Sequence, residues 1–257
     1  MADRAVEAIL FDLGQTLLEF GRLPVKSLFA TAAQNSYQWL RNYSQPVPAF
    51  WRYKLKHFVG LYLHVGVSWL TGNDFDSLEL LKTYGKRYRF TLNEEQYREL
   101  NWVWYEPLSK QAYMESDLPR TLDALRAMGL KMGIVSNTFV NRDSLRRHLK
   151  QLGLDEFFAV QLYSHEFPYR KPDVRIFQAA AERIGVAPKK TLFVGDRVDT
   201  DVEGALAAGM IPVFKRMAIN RDKRVPAGVI TINRLAELPA AVTSNLLLTT
   251  YRMVPGM

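Results

Sequence analysis

The chain has 257 residues, enough to bury a sizeable core in one large domain or in a domain carrying an insertion. Its 34 lysines and arginines against 26 aspartates and glutamates give a net charge of +8, which favours anionic ligands, but no helix-turn-helix or zinc-finger spacing points to nucleic acid. The absence of cysteine excludes disulfides and thiolate metal sites and fits a reducing compartment.

The N-terminus leads into a strand pattern rather than a cleavable signal, and no apolar run is long enough to span a bilayer, so the expectation is a soluble cytoplasmic protein without a membrane partner. Ala8 to Phe11 is a short apolar run ending at Asp12 and Gly14, as in a buried parallel strand. From about Phe20 to Glu115 the pattern changes to long helical periodicities rich in aromatics, among them Trp51, Tyr53, Tyr62, Trp69, Trp102, Trp104 and Tyr105. No strand interrupts them. This predicts a helical domain over 20–115 inserted into a core of 1–19 and 116–257, with the aromatics of 50–69 and 102–105 packed in the insert's interior.

Leu118, Leu122, Leu125 and Met128 recur at helical spacing, with Gly129 placed to end the helix. Strands are predicted at Lys131–Val135, Phe158–Leu162, Thr191–Val194 and Ile211–Phe214. Between them, Pro172 and Asp173 open a helix terminated by Gly185, and Asp201 is placed to cap another that ends at Gly209. Lys215, Arg216, Arg221, Lys223 and Arg224 read as a basic, solubilising loop, and Thr249 to Met257 as a weakly patterned tail. Strands alternating with helices imply an α/β fold with a parallel sheet covered on both faces.

Asp12, Ser136 and Asp196 each directly follow a strand pattern, so they converge at the carboxyl edge of such a sheet, where ligands bind. Singly, Asp12 and Ser136-Asn137 read as turn residues, Lys171 as a surface cation and Asp201 as a helix cap. As an ordered set they carry more. The segments Phe11-Asp12-Leu13-Gly14-Gln15-Thr16, Ile134-Val135-Ser136-Asn137, Arg170-Lys171-Pro172-Asp173 and Val194-Gly195-Asp196-Arg197-Val198-Asp199-Thr200-Asp201 resemble the haloacid dehalogenase superfamily in its helical-cap subclass.

That resemblance implies a Rossmann-like three-layer core with an all-helical cap and a phosphatase using Mg²⁺ on a small phosphorylated substrate. It makes Asp12 the nucleophile that forms an aspartyl-phosphate. Ser136, Asn137 and Lys171 would hold the phosphoryl group, and Thr16 would orient the first loop. Asp12, the Gly14 carbonyl, Asp196 and Asp201 would ligate the metal, with Asp199 exposed or supporting. One position departs from the family pattern: Gly14 stands where most phosphatase members carry a second aspartate, the general acid. Such a group is typically worth ~10²–10⁴-fold in rate.

Three readings follow from that departure. The chain is a phosphomonoester hydrolase acting on a good leaving group, or helped by a cap residue such as His57 or His64. Alternatively it is a hydrolase of the dehalogenase or phosphonatase type, the latter using a cap lysine such as Lys54 or Lys56. The third is a catalytically weak binding or scaffold protein. Arg41, Arg52 and Lys56 are read as a solvated face rather than as contacts to a second anionic group. Some relatives dimerise through helical caps, but the oligomeric state is not legible in the sequence.

Overall fold

A computed structural model of the chain describes residues 6–243, so the tail at 249–257 lies outside the described residues. Among these residues, six strands form a single parallel sheet: β1 (Ala8–Phe11), β2 (Lys131–Ser136), β3 (Val160–Tyr163), β4 (Thr191–Gly195), β5 (Ile211–Lys215) and β6 (Ile230–Ile232). Their order is β3-β2-β1-β4-β5-β6. The chain runs outward from β1 to β3 and then returns to build β4 to β6 on the other side. Strand order therefore reverses between β1 and β4, where α/β sheets open a crevice for ligands. Phe11 stands level with Ile134 of β2 and Val194 of β4, which brings the residues that follow each strand to one edge.

The central strands are apolar on both faces because both are covered. Ile9, Phe11, Ile134, Val194 and Val213 pack under α5 (Leu118–Ala127), α6 (Arg142–Gln151) and α9 (Leu238–Thr243). Ala8, Leu10, Val135, Leu162 and Phe193 pack against Ile176, Phe177 and Ala180 of α7 (Val174–Ile184) and Ala205 of α8 (Glu203–Ala207). Helix α7 starts as expected, with the Asp173 carboxylate accepting from the Arg175 amide, and stops at Gly185, whose φ of 67° is cheap only for glycine.

Four helices lie between β1 and α5: α1 (Val25–Asn42), α2 (Phe50–Thr71), α3 (Ser77–Tyr88) and α4 (Glu94–Ser109). They enclose a small cluster of their own around Leu40, Tyr53, Leu81 and Leu100. Asp76 caps α3 through the Leu78 amide, and Asn93 with Gln96 forms a capping box on α4. The chain leaves and returns side by side, since the backbones of Glu19 and Tyr113 hydrogen-bond to each other in both directions at 2.7 and 2.8 Å.

Five expectations need correction. β3 starts at Val160 because a 3₁₀ turn takes up Asp155–Phe157. Beyond β5 there is a sixth, three-residue strand, too short to show a pattern. Asp201 does not cap α8. It lies inside a π-helical turn at Val198–Val202. The aromatics divide: Trp102 and Tyr105 pack against the main core with Phe11 and Leu118, whereas Trp51, Tyr62 and Trp69 are exposed. Lys215 is not in a loop at all; it ends β5 with 1% of its surface exposed.

Candidate active site

Each acidic group arrives from the carboxyl end of a strand. Asp12 follows β1 directly, its amide bonded to the Val194 carbonyl at 2.9 Å, and Asp196 follows β4. Asp201 returns to the same place through the π-helical turn, its carboxylate accepting from the Arg197 amide at 3.0 Å. Gly195 is needed for this return, because a Cβ there would collide with the Asp201 side chain. Oxygens of Asp12, Asp196 and Asp201 lie within 4.8 Å of one another, and all three residues are buried.

Lys171 completes the cluster. Its ammonium donates to Asp12 Oδ1 at 2.6 Å and stands 2.7 Å from Asp201 Oδ1, with 3% of the residue exposed. Asn137 fixes the lysine's backbone from both sides: Nδ2 donates to the Lys171 carbonyl at 2.8 Å, and Oδ1 accepts from the Lys171 amide at 2.9 Å. The amide that the resemblance assigns to phosphate holds the Lys171 backbone here. Ser136 is buried at the end of β2. Thr16 Oγ1 is buried with no hydrogen-bond partner among the described residues. Asp199 turns outward to Arg197 at 2.5 Å, apart from the cluster. Among the described residues, a Cβ at Gly14 would meet nothing within 4 Å.

The electrostatics follow from burying three carboxylates with one ammonium. Burial, reinforced by Asp12 and Asp201, pushes Asp196 up to about 7. Burial raises Asp12 to about 6, with Lys171 opposing and Asp201 assisting. Burial works against the Lys171 charge, yet Asp12 and Asp201 outweigh it and hold the lysine above its usual range. Fully ionised, the group carries two negative charges in excess. Hard oxygen donors with surplus negative charge suit a divalent cation such as Mg²⁺.

A prediction follows for the metal-free protein. Asp12 and Asp196 titrate higher folded than unfolded, so between about pH 4 and 7 the native state holds more protons than the unfolded chain. Stability should therefore fall as pH rises through that window. Added Mg²⁺ should raise the melting temperature more at pH 8 than at pH 5, as thermal denaturation with and without chelator would show. An equal shift at both pH values would mean that the carboxylates are not where the ion binds.

Three features of the surroundings have little sequence signal. Asn220 Nδ2 donates to the carbonyls of Asp196 and Lys215 at 2.8 and 2.9 Å, tying the Asp196 loop to β5. Lys215 Nζ is 2.9 Å from each of the Thr16 carbonyl, Glu19 Oε1 and Glu115 Oε1, so one buried cation joins the Asp12 loop to both crossings of the chain. Asp74, at the turn between α2 and α3, accepts from Arg170 Nη1 at 2.8 Å and from Ser164 at 2.5 Å, which fastens that turn beside Lys171.

The histidines proposed as acids fare differently. His57 is buried, its ring against Tyr53, Tyr84 and Trp104, and burial lowers it to about 4, so it is a neutral packing group. It lines an apolar cavity of about 300 Å³ with Phe29, Leu61, Phe75 and Phe139. His64 is exposed, with Nδ1 2.7 Å from the Gly60 carbonyl. Lys54 is exposed, and Lys56 sits 4.6 Å over the Tyr88 ring.

Residues 6–209 match the family model described as haloacid dehalogenase-like hydrolase. The chain is 39% identical over 116 residues to a glyceraldehyde 3-phosphate phosphatase of Methanopyrus kandleri, a stretch covering 44% of this chain and 49% of that protein. It thus spans about half the length of that curated relative, or less for two similar archaeal phosphatases. A longer match, 29% identical over 196 residues, is to the pyrophosphatase PpaX of Bacillus velezensis, with 76% and 77% of the two chains covered. Among solved structures, a HAD phosphatase from Thermococcus onnurineus is similar over 93% of this chain and 98% of its own, with a TM-score of 0.61 and 26% identity. Among the described residues, no helix is long and apolar enough to cross a membrane.

Proposed function

We propose, from the premise that the chain belongs to the haloacid dehalogenase-like hydrolase family, that it is a phosphatase hydrolysing a small phosphorylated metabolite through an aspartyl-phosphate at Asp12. The observation that carries the reading is the salt-bridged Asp12–Lys171–Asp201 group with Asp196 beside it at a sheet switch point. The similarity to phosphatases of phosphorylated small molecules supports it.

In this reading Lys171 holds one oxygen of Asp12 and leaves the other to attack phosphorus. The same ammonium, with the Ser136 hydroxyl, meets charge on the transferring phosphoryl oxygens, where fixed donors act most strongly on the transition state. Asp12, Asp196 and Asp201 would hold Mg²⁺, with the Gly14 carbonyl as a further oxygen ligand, and the ion would neutralise charge on the phosphoryl group. Asn137 keeps the ammonium in place through the Lys171 backbone. Residues 20–115 are proposed as a cap, fastened beside the site by Asp74 and Arg170, that excludes water and reads the non-reacting part of the substrate. The acidic cluster favours this chemistry over halide displacement, which has no use for a metal site. Phosphate release from a panel of sugar, acyl and alkyl phosphates, with Mg²⁺ and with chelator, tests the reading. A flat panel at high protein concentration would favour a binding role.

Gly14 sharpens it. With no carboxylic acid at that position, the enzyme should prefer phosphates whose leaving group needs no proton, such as anomeric or acyl phosphates. The open space around Gly14 admits a side chain, so Gly14→Asp should raise kcat on alkyl phosphates by about 100-fold and change acyl phosphate turnover little. Steady-state kinetics on the two classes check this. Equal responses would show that protonation of the leaving group does not limit the rate.

A further inference from the structure

Among the described residues, helix α2 is covered on one side only. Its inward face, with Tyr53, His57 and Ser68, is buried, and its main packing partner is α1. On the opposite side Trp51, Leu55, Val59, Tyr62, Trp69 and Leu70 are exposed, from 45% for Val59 to 89% for Leu70. A helix apolar on both its inner and its outer face is normally buried on both.

The outer face has a definite pattern. Leu55, Val59, Tyr62, Gly66 and Trp69 are separated by four, three, four and three residues, the spacing of a coiled-coil seam. Gly66 lies within the seam, and among the described residues a Cβ there would meet nothing within 4 Å, so a second helix can approach closely at that point. Aromatic side chains bury roughly 150–250 Å² each, so the stripe offers on the order of 800 Å² per chain, about what each partner contributes to a standard interface. A typical monomer exposes a largest apolar patch of only about 300–600 Å².

Charge indicates the occupant and its direction. Helix α2 contains no acidic residue, and its cations, Arg52, Lys54 and Lys56, all lie in the first two turns. A parallel pair would set these cations against each other. An antiparallel pair places each basic start beside the carbonyl end of its partner, where positive charge is favoured. The seam is compatible with that direction: reversed about Tyr62, Leu55 falls opposite Trp69, and Val59 and Gly66 fall within one residue of facing each other, a larger side chain beside a smaller one. Helices that lie on membranes instead carry a charged face along their length, and the cations here are confined to one end.

We propose that α2 pairs antiparallel with α2 of a second copy of this chain, with Tyr62 at the two-fold axis. Sedimentation velocity on the full chain at micromolar concentrations should give twice the mass of the single chain. Tyr62→Lys sets two ammonium groups face to face at the axis and should weaken association by about 100-fold while circular dichroism stays unchanged. Because the protein has no cysteine, single thiols report the register directly. Tyr62→Cys should cross-link to itself on mild oxidation. Leu55→Cys should cross-link to Trp69→Cys but not to itself. A single-chain mass throughout, a dimer indifferent to Tyr62→Lys, or a monomer that pellets with phosphatidylglycerol vesicles would each overturn the proposal.

Discussion

Asp12→Asn is expected to abolish phosphate release, lowering kcat by about 10⁴-fold or more, while raising the melting temperature of the metal-free protein. The two effects have one origin. Asp12 is buried beside Asp201 and Asp196 with a single ammonium to answer three carboxylates. Replacing its carboxylate by an amide keeps the shape, relieves the repulsion and removes the nucleophile. A residue kept for stability would show the reverse, with activity tracking the loss of fold. Kinetics and thermal denaturation on the same preparation decide the matter. Retained turnover in Asp12→Asn would end the aspartyl-phosphate mechanism.

Lys215→Met should be among the most damaging substitutions for stability. It leaves the carboxylates of Glu19 and Glu115 close together and the Thr16 carbonyl without its donor. Breaking a buried ion pair by removing one partner costs about 3–5 kcal/mol. In a chain of this size that corresponds to a melting temperature lower by roughly 10 °C. Lys223→Met, eight residues along on an exposed part of the same basic stretch, should change stability by no more than about 0.5 kcal/mol. If calorimetry found the two alike, Lys215 would not be tying the chain crossings together.

The contrast between these lysines also shows what the sequence can convey. Asp12 and Asp196 were legible because each follows an apolar run, and parallel strands present their ends at one edge. Lys171 and Asp201 gained meaning only from that company. Lys215 carries no comparable mark: it heads a run of arginines and lysines, and its partners Glu19 and Glu115 are distant along the chain. The Asp74–Arg170 pair is hidden for the same reason. Helical periodicity in α2 distinguishes apolar from polar faces, but it does not say whether a neighbour covers them, so Trp51, Tyr62 and Trp69 looked like interior residues. Asn137 was located through its strand, yet only side-chain geometry reveals that its amide holds the Lys171 backbone.

The paired backbones of Glu19 and Tyr113 have an evolutionary consequence. They close the neck of the excursion between them, so the sheet experiences the same two chain ends whatever is strung beyond. Lengthening or exchanging the material past that neck adds a closure entropy that grows only logarithmically with the number of residues. The alignment of β1 with β2 and β4 need not shift. Such a joint lets a lineage trade one substrate-reading module for another while its chemistry stays in place.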